Sequence, residues 1–153
     1  IWNMTKISKD RITIDYYIRA TWLSIQKMYN EEASTFGATM SGAFTLLSID
    51  PKKGTPSSSL GPKMGIASTS ISRTLNDLEK RKLIKRTSSH EDKRSIIISL
   101  TKEGLKMRDI SKQYVKGFHN TIESEIPQEK LNIFYEVMEE INEIITKKRS
   151  KKK

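Results

Sequence analysis

Ile14, Ile18, Trp22, Ile25 and the pair Met28/Tyr29 recur at steps of three and four residues, the period of one face of an α-helix. They predict a long first helix over residues 9–32. A connector with Gly37 follows, and Thr39 has the short hydroxyl expected of an N-cap. The next helix turns Met40, Ala43, Phe44 and Leu47 inward and stops near Asp50 and Pro51. Residues 51–59, rich in Pro, Gly, Ser and Lys, read as a loop. A short helix is expected before Gly65, starting within 59–62 or distorted there, since proline is tolerated in a first turn and unwelcome in an interior. Ser68 is then the expected cap of a helix that buries Ile71, Leu75 and Leu78. The runs 83–87 and 96–100 read as two strands of a hairpin with a charged tip. Thr101 caps a long helix with a stripe of Leu105, Ile110, Tyr114, Phe118 and Ile122. Pro127 opens the last helix, whose stripe is Leu131, Phe134, Val137/Met138, Ile141 and Ile144/Ile145.

The predicted class is mainly α with a small β-hairpin: a winged helix-turn-helix over 39–101, flanked by helices over 1–38 and 102–146, with a basic tail at 147–153. The last apolar stripe is long for a terminal helix. A second copy of the chain is the economical cover for it, so the flanking helices are expected to form a homodimer.

Charge sharpens this picture. The formal net charge is +10. Residues 63–94 hold nine Lys or Arg against four Asp or Glu, and residues 147–153 hold six basic residues and no acid. The excess therefore sits in the helix–hairpin segment and the tail, as a nucleic-acid reader requires. The chain has no cysteine, which excludes disulfides, thiolate metal sites and thiol redox sensing. No apolar run reaches the roughly 18 residues of a membrane span. The start, Ile1-Trp2-Asn3-Met4, lacks the basic-then-apolar order of a signal peptide, so a cytoplasmic location is expected.

Ser68, Thr69, Ser70 and Ser72 are short and let a helix backbone sit deep in a major groove. Hydroxyls discriminate bases weakly, so Arg73 is the expected reader of a guanine, or a phosphate clamp. Its alternative is an ion pair with Asp77, one turn on. At the hairpin tip Arg94 is the candidate for a narrow, A·T-rich minor groove, with Asp92 holding an arginine in place. Lys63, Lys85, Arg86 and Lys93 are candidate phosphate contacts, which fix register but not sequence.

The stretch Gly65-Ile66-Ala67-Ser68-Thr69-Ser70-Ile71-Ser72-Arg73-Thr74-Leu75 resembles the reader-helix motif of the MarR family of winged-helix transcriptional regulators. Leu83-Ile84-Lys85-Arg86 is similar to that family's first wing strand, Asp92-Lys93-Arg94-Ser95 to its wing motif, and Leu100-Thr101-Lys102-Glu103-Gly104 to its fifth helix start. Lys82 departs from the pattern, standing where many members have a glycine that ends the reader helix. The resemblance implies a sequence-specific, dimeric regulator of double-stranded DNA, of repressor type. It also implies a small aromatic or lipophilic effector bound between dimer helices and reader. Tyr17, Trp22, Phe44, Tyr114 and Phe118 are candidates to line that pocket; plain core packing is their alternative.

No catalytic constellation is present, so no enzyme activity and no cofactor are expected. His90 and His119 lie in different elements without ligands at metal spacing, so no metal is expected. Two other readings remain open at this point. One is an architectural DNA binder without effector, and the other a winged-helix module that binds protein.

Overall fold

The computed structural model describes residues 13–88 and 95–151. The chain divides between Lys112 and Gln113 into two compact units. The first holds α1 (Ile14–Thr35), α2 (Met40–Ser48), β1 (Thr55–Pro56), α3 (Ser57–Met64), α4 (Ser68–Lys80), β2 (Ile84–Ser88), β3 (Ile96–Leu100) and the first half of α5 (Lys102–Glu125). The second holds the rest of α5 and α6 (Gln128–Ser150).

The core of the first unit gathers Leu46 and Ile49 from the end of α2, Leu60 from α3, and Ile71, Leu75 and Leu78 from α4. Leu83, Ile84 and Ile98 close it from the hairpin side. The buried side expected of α4 is therefore the one observed. In α2 the phase differs. Leu46 and Thr45 are fully buried, whereas Met40, Phe44 and Leu47 are only half-buried. This helix packs against α1, α3 and α4 at once, so no single stripe describes it. Thr45 tolerates burial because its hydroxyl donates to the Ser41 carbonyl at 2.8 Å.

The sheet has three antiparallel strands in the order β1-β3-β2. Its edge strand β1 lies inside the stretch expected to be loop. The Asp50 carboxylate accepts the amides of Lys52 and Lys53, both at 2.8 Å. Those bonds hold its pKa below the usual carboxylate value. The Asp50 amide donates to Thr55 Oγ1 at 2.9 Å, and the closed turn lays Thr55 and Pro56 along Ile98 and Ile97. Proline is acceptable there because an edge strand need not donate outward. Helix α3 starts directly after, at Ser57, earlier than expected, and Pro62 lies inside it. In an eight-residue helix that proline forfeits only one intrahelical bond.

Ser68 is not the cap of α4. Ala67 occupies the cap position with extended backbone, and Ser68 is already the first helical residue. The placement of Ile71 in the core sets the phase, and the Ala67 carbonyl accepts the amides of Ser70 and Ile71. Thr39 and Thr101 do cap as expected, accepting the amides of Gly42 at 3.1 Å and Gly104 at 3.0 Å. Pro127 stands one position before the first residue of α6, as its cap.

The expected stripe of α5 is not its buried side within the first unit. Gly104 and Ser111 are buried and Met107 packs on the core, while Leu105 and Ile110 are exposed. Small residues allow the close approach, and the large apolar ones are left outside. Helix α6 continues through the basic Lys147-Lys148-Arg149 to Ser150 rather than ending at residue 146. Cations suit a helix C-terminus, and Lys147 also pairs with Glu143 at 3.3 Å.

Helices α1, α3 and α4 end in the same way. A residue with positive φ reverses the chain, and two amides reach back to carbonyls of the last turn. Gly37 and Gly65 do this for α1 and α3; Lys82, at φ 57, does it for α4. The Lys82 amide bonds the Glu79 carbonyl and the Leu83 amide bonds the Leu78 carbonyl, both at 2.9 Å. A side chain in this conformation costs roughly 1 kcal/mol or more. Lys82→Gly is thus expected to raise stability by up to about 1 kcal/mol, seen as a higher urea midpoint at unchanged slope. Gly104→Ala is expected to lower it by about 1–3 kcal/mol or more, because the added carbon would meet the Leu83 carbonyl oxygen at 1.9 Å.

Candidate nucleic-acid interface

Helix α4 has a buried side fixed by Ile71, Leu75 and Leu78. At 100° per residue, Thr69, Arg73 and Lys80 fall about 150–200° round the helix from Ile71, on the side facing away from the core. All three are exposed. Ser70 and Ser72 are exposed on the two flanks. The α2 flank is tied down: Thr74 Oγ1 lies 3.1 Å from Ser41 Oγ and donates to the Ser70 carbonyl at 3.2 Å.

The pairing of Arg73 with Asp77 does not form. Asp77 instead faces Arg81, at 3.7 Å. Arg81 also donates to the Gly37 carbonyl, which ties the end of α4 to the α1–α2 connector. Among the described residues no ion pair engages Arg73.

Lys63 is exposed in the last turn of α3, and Lys85 is exposed on β2. Arg86 is different. Its guanidinium lies 3.0 Å from Glu79 Oε2 and donates to Asn76 Oδ1 at 2.7 Å. Strand parity explains this. Arg86 pairs with Ile98, a fully buried residue, and sits two positions after buried Ile84. Opposed residues share a sheet face, so Arg86 belongs to the face turned to α4. Lys85, one residue earlier, belongs to the other. The alternation Ile84–Arg86 and the i, i+3 spacing of Asn76 and Glu79 were the sequence signals for this contact. Lys80 was likewise missed as part of the outward side, though a helical count from Arg73 places it there. Asp92, Lys93 and Arg94, and His90 with them, lie outside the described residues.

The candidate effector residues do not form one described cluster. Tyr17 and Trp22 are exposed on α1, five residues apart, which is about 140° round a helix. Phe44 is half-buried and meets Tyr29 edge-on, with ring centroids 5.5 Å apart. Burial raises the pKa of that tyrosine, with the Glu32 charge adding to it. Tyr114 and Phe118 belong to the second unit. His119 pairs with Glu123 at 3.3 Å, and no cluster able to hold a metal occurs among the described residues. No helix among the described residues is long and apolar enough to cross a membrane.

Comparison with known proteins agrees with this architecture. Residues 39–96, from the cap of α2 to the start of β3, match the sequence model of the MarR family. The transcriptional regulator SarZ of Staphylococcus epidermidis is 26% identical over 123 residues, 80% of each chain. The fold of MepR from S. aureus, solved as a DNA complex, superposes with a TM-score of 0.76 at 19% identity, covering 86% of this chain and 98% of that one. CouR from Rhodococcus jostii RHA1, solved with p-coumaroyl-CoA, superposes at 0.72 with 22% identity, covering 84% and 90%. The segment built around α4 and its hairpin is thus similar to the domain of the MarR family, and the chain as a whole resembles helix-turn-helix transcriptional regulators.

Proposed function

We propose that this chain is a dimeric, sequence-specific repressor whose α4 enters the major groove and whose hairpin tip reaches the adjoining minor groove. One observation carries the reading. Helix α4 commits one side wholly to the core and leaves Thr69 and Arg73 together on the opposite, exposed side. Thr69, Ser70 and Ser72, with Ser68 before them, are short enough for the helix to approach closely. Arg73 supplies the long bidentate contact to a guanine or phosphate. Lys63, Lys85 and Lys93 hold the backbone, and Lys80 extends the same side. Arg94, supported by Asp92, reads groove width.

Dimerisation is supported by apolar surface that one chain leaves open. Ile14, Ile18, Trp22 and Leu23 on α1 are exposed, as are Ile133, Phe134, Val137, Ile144 and Ile145 on α6. Patches of this kind mark association surfaces. A twofold dimer presents two copies of α4 to successive grooves about one helical turn apart, so the operator is a pseudo-palindrome with A·T-rich flanks. A small aromatic or lipophilic ligand, of the kind bound by CouR, acts by favouring a spacing that fits DNA poorly.

The test begins with a duplex selected from a random pool by the wild-type chain. Arg73→Ala is expected to lower affinity about tenfold or more, within the range of a lost bidentate contact, while sedimentation still reports a dimer. Wild-type affinity should fall steeply as salt rises. Unchanged affinity in Arg73→Ala, a flat salt dependence, or a monomer at micromolar concentration would each overturn the reading.

A further inference from the structure

Arg86 is a cation on the first strand of a DNA-binding hairpin, yet its guanidinium is spent on the protein. One nitrogen faces Glu79 Oε2 at 3.0 Å and the other donates to Asn76 Oδ1 at 2.7 Å. Asn76 and Glu79 are one turn apart on α4. A planar guanidinium that bridges two such acceptors fixes direction as well as distance. The strand is held in turn by its partner, since Arg86 sits opposite Ile98 in the ladder. The bridge therefore joins the middle of the hairpin to the second half of α4.

We propose that Arg86 is a positioning residue: by spanning Asn76 and Glu79 it fixes the angle of the hairpin to the reader helix, and it makes no phosphate contact. The inference rests on the DNA-reading role proposed for α4 and the hairpin. Two elements that read neighbouring grooves must keep a fixed mutual angle, or contacts made by one misalign the other. The core residue Ile84, paired with Leu100, holds the hairpin's base against α4. Arg86 lies further along β2, toward the tip, where a small tilt becomes a larger displacement. Its side chain and that of Glu79 are 32% and 41% exposed, so the bridge tunes geometry more than it adds stability.

Glu79 separates the two roles by sign. It is an acid beside the DNA-reading surface, and charge alone predicts that Glu79→Gln strengthens binding to DNA phosphates. A brace predicts the reverse. With the selected duplex, Glu79→Gln is expected to weaken binding about two- to fivefold, the range of a partly exposed ion pair. The loss should concentrate in discrimination at the A·T-rich flanks, with the penalty for changing the major-groove core kept. A merely structural loss would weaken all sequences alike. Arg86→Gln should reproduce this pattern and leave the salt slope unchanged, whereas a lost phosphate contact would reduce it by about 0.9. The double variant should be no worse than either single one. Tighter binding by Glu79→Gln, a reduced slope in Arg86→Gln, or additive losses would overturn the brace. Failure of the wild-type chain to bind any duplex would overturn the DNA reading instead. Urea midpoints near wild type confirm that each variant is folded as measured.

Discussion

The carbonyl of Leu83 is where the structure has least freedom. It accepts the Thr101 amide at 3.0 Å and the Thr101 hydroxyl at 3.2 Å, and the first turn of α5 passes so close that only glycine fits at Gly104. On the other side, the Leu83 amide completes the end of α4 by bonding the Leu78 carbonyl. One buried residue thus joins α4, the first hairpin strand and the start of α5. That junction explains why Lys82 accepts a left-handed backbone: the chain must turn from helix to strand within three residues while Leu78 and Leu83 stay in the same core. It also explains why Thr101 reaches back to the Lys82 carbonyl at 2.7 Å as well as capping its own helix.

From this fixed point the interface divides its labour. The core holds the inner side of α4, Thr74 and Arg81 tie its flank and its end to neighbouring segments, and Arg86 ties the hairpin to it. Arg73 is left exposed, with its potential partner Asp77 engaged by Arg81. Asp77 and Glu79 on this helix thus engage Arg81 and Arg86, and Arg73 and Lys80 stay exposed on its outer side.

Much of this was legible in the sequence because two periods are hard to mistake. The 3.6-residue recurrence located α1, α4, α5 and α6, and Ile71, Leu75 and Leu78 identified the inner side of α4. The hairpin followed from its β-branched strands. Other features depended on tertiary contacts. Strand β1 exists because Asp50 closes a turn against β3, which no local pattern announces. The packing side of α5 is marked by Gly104 and Ser111, so a count of large apolar residues points to the opposite side. In α2 the neighbours on several sides blur any stripe. The contacts of Arg86 with Asn76 and Glu79 went unread for a simpler reason: its charge was weighed, and its strand parity was not. Arg94 and Asp92 stay where the sequence put them, in the wing motif, as proposals.

Native-state hydrogen exchange tests directly whether α4 and its hairpin form one rigid reader. As denaturant is raised, the amides of Leu75 and Leu78 in α4 and of Leu83 and Ile98 at the hairpin should converge on one opening free energy, because Leu83 joins them in a single cooperative unit. Hairpin amides that open independently, at a clearly lower free energy than those of α4, would contradict it.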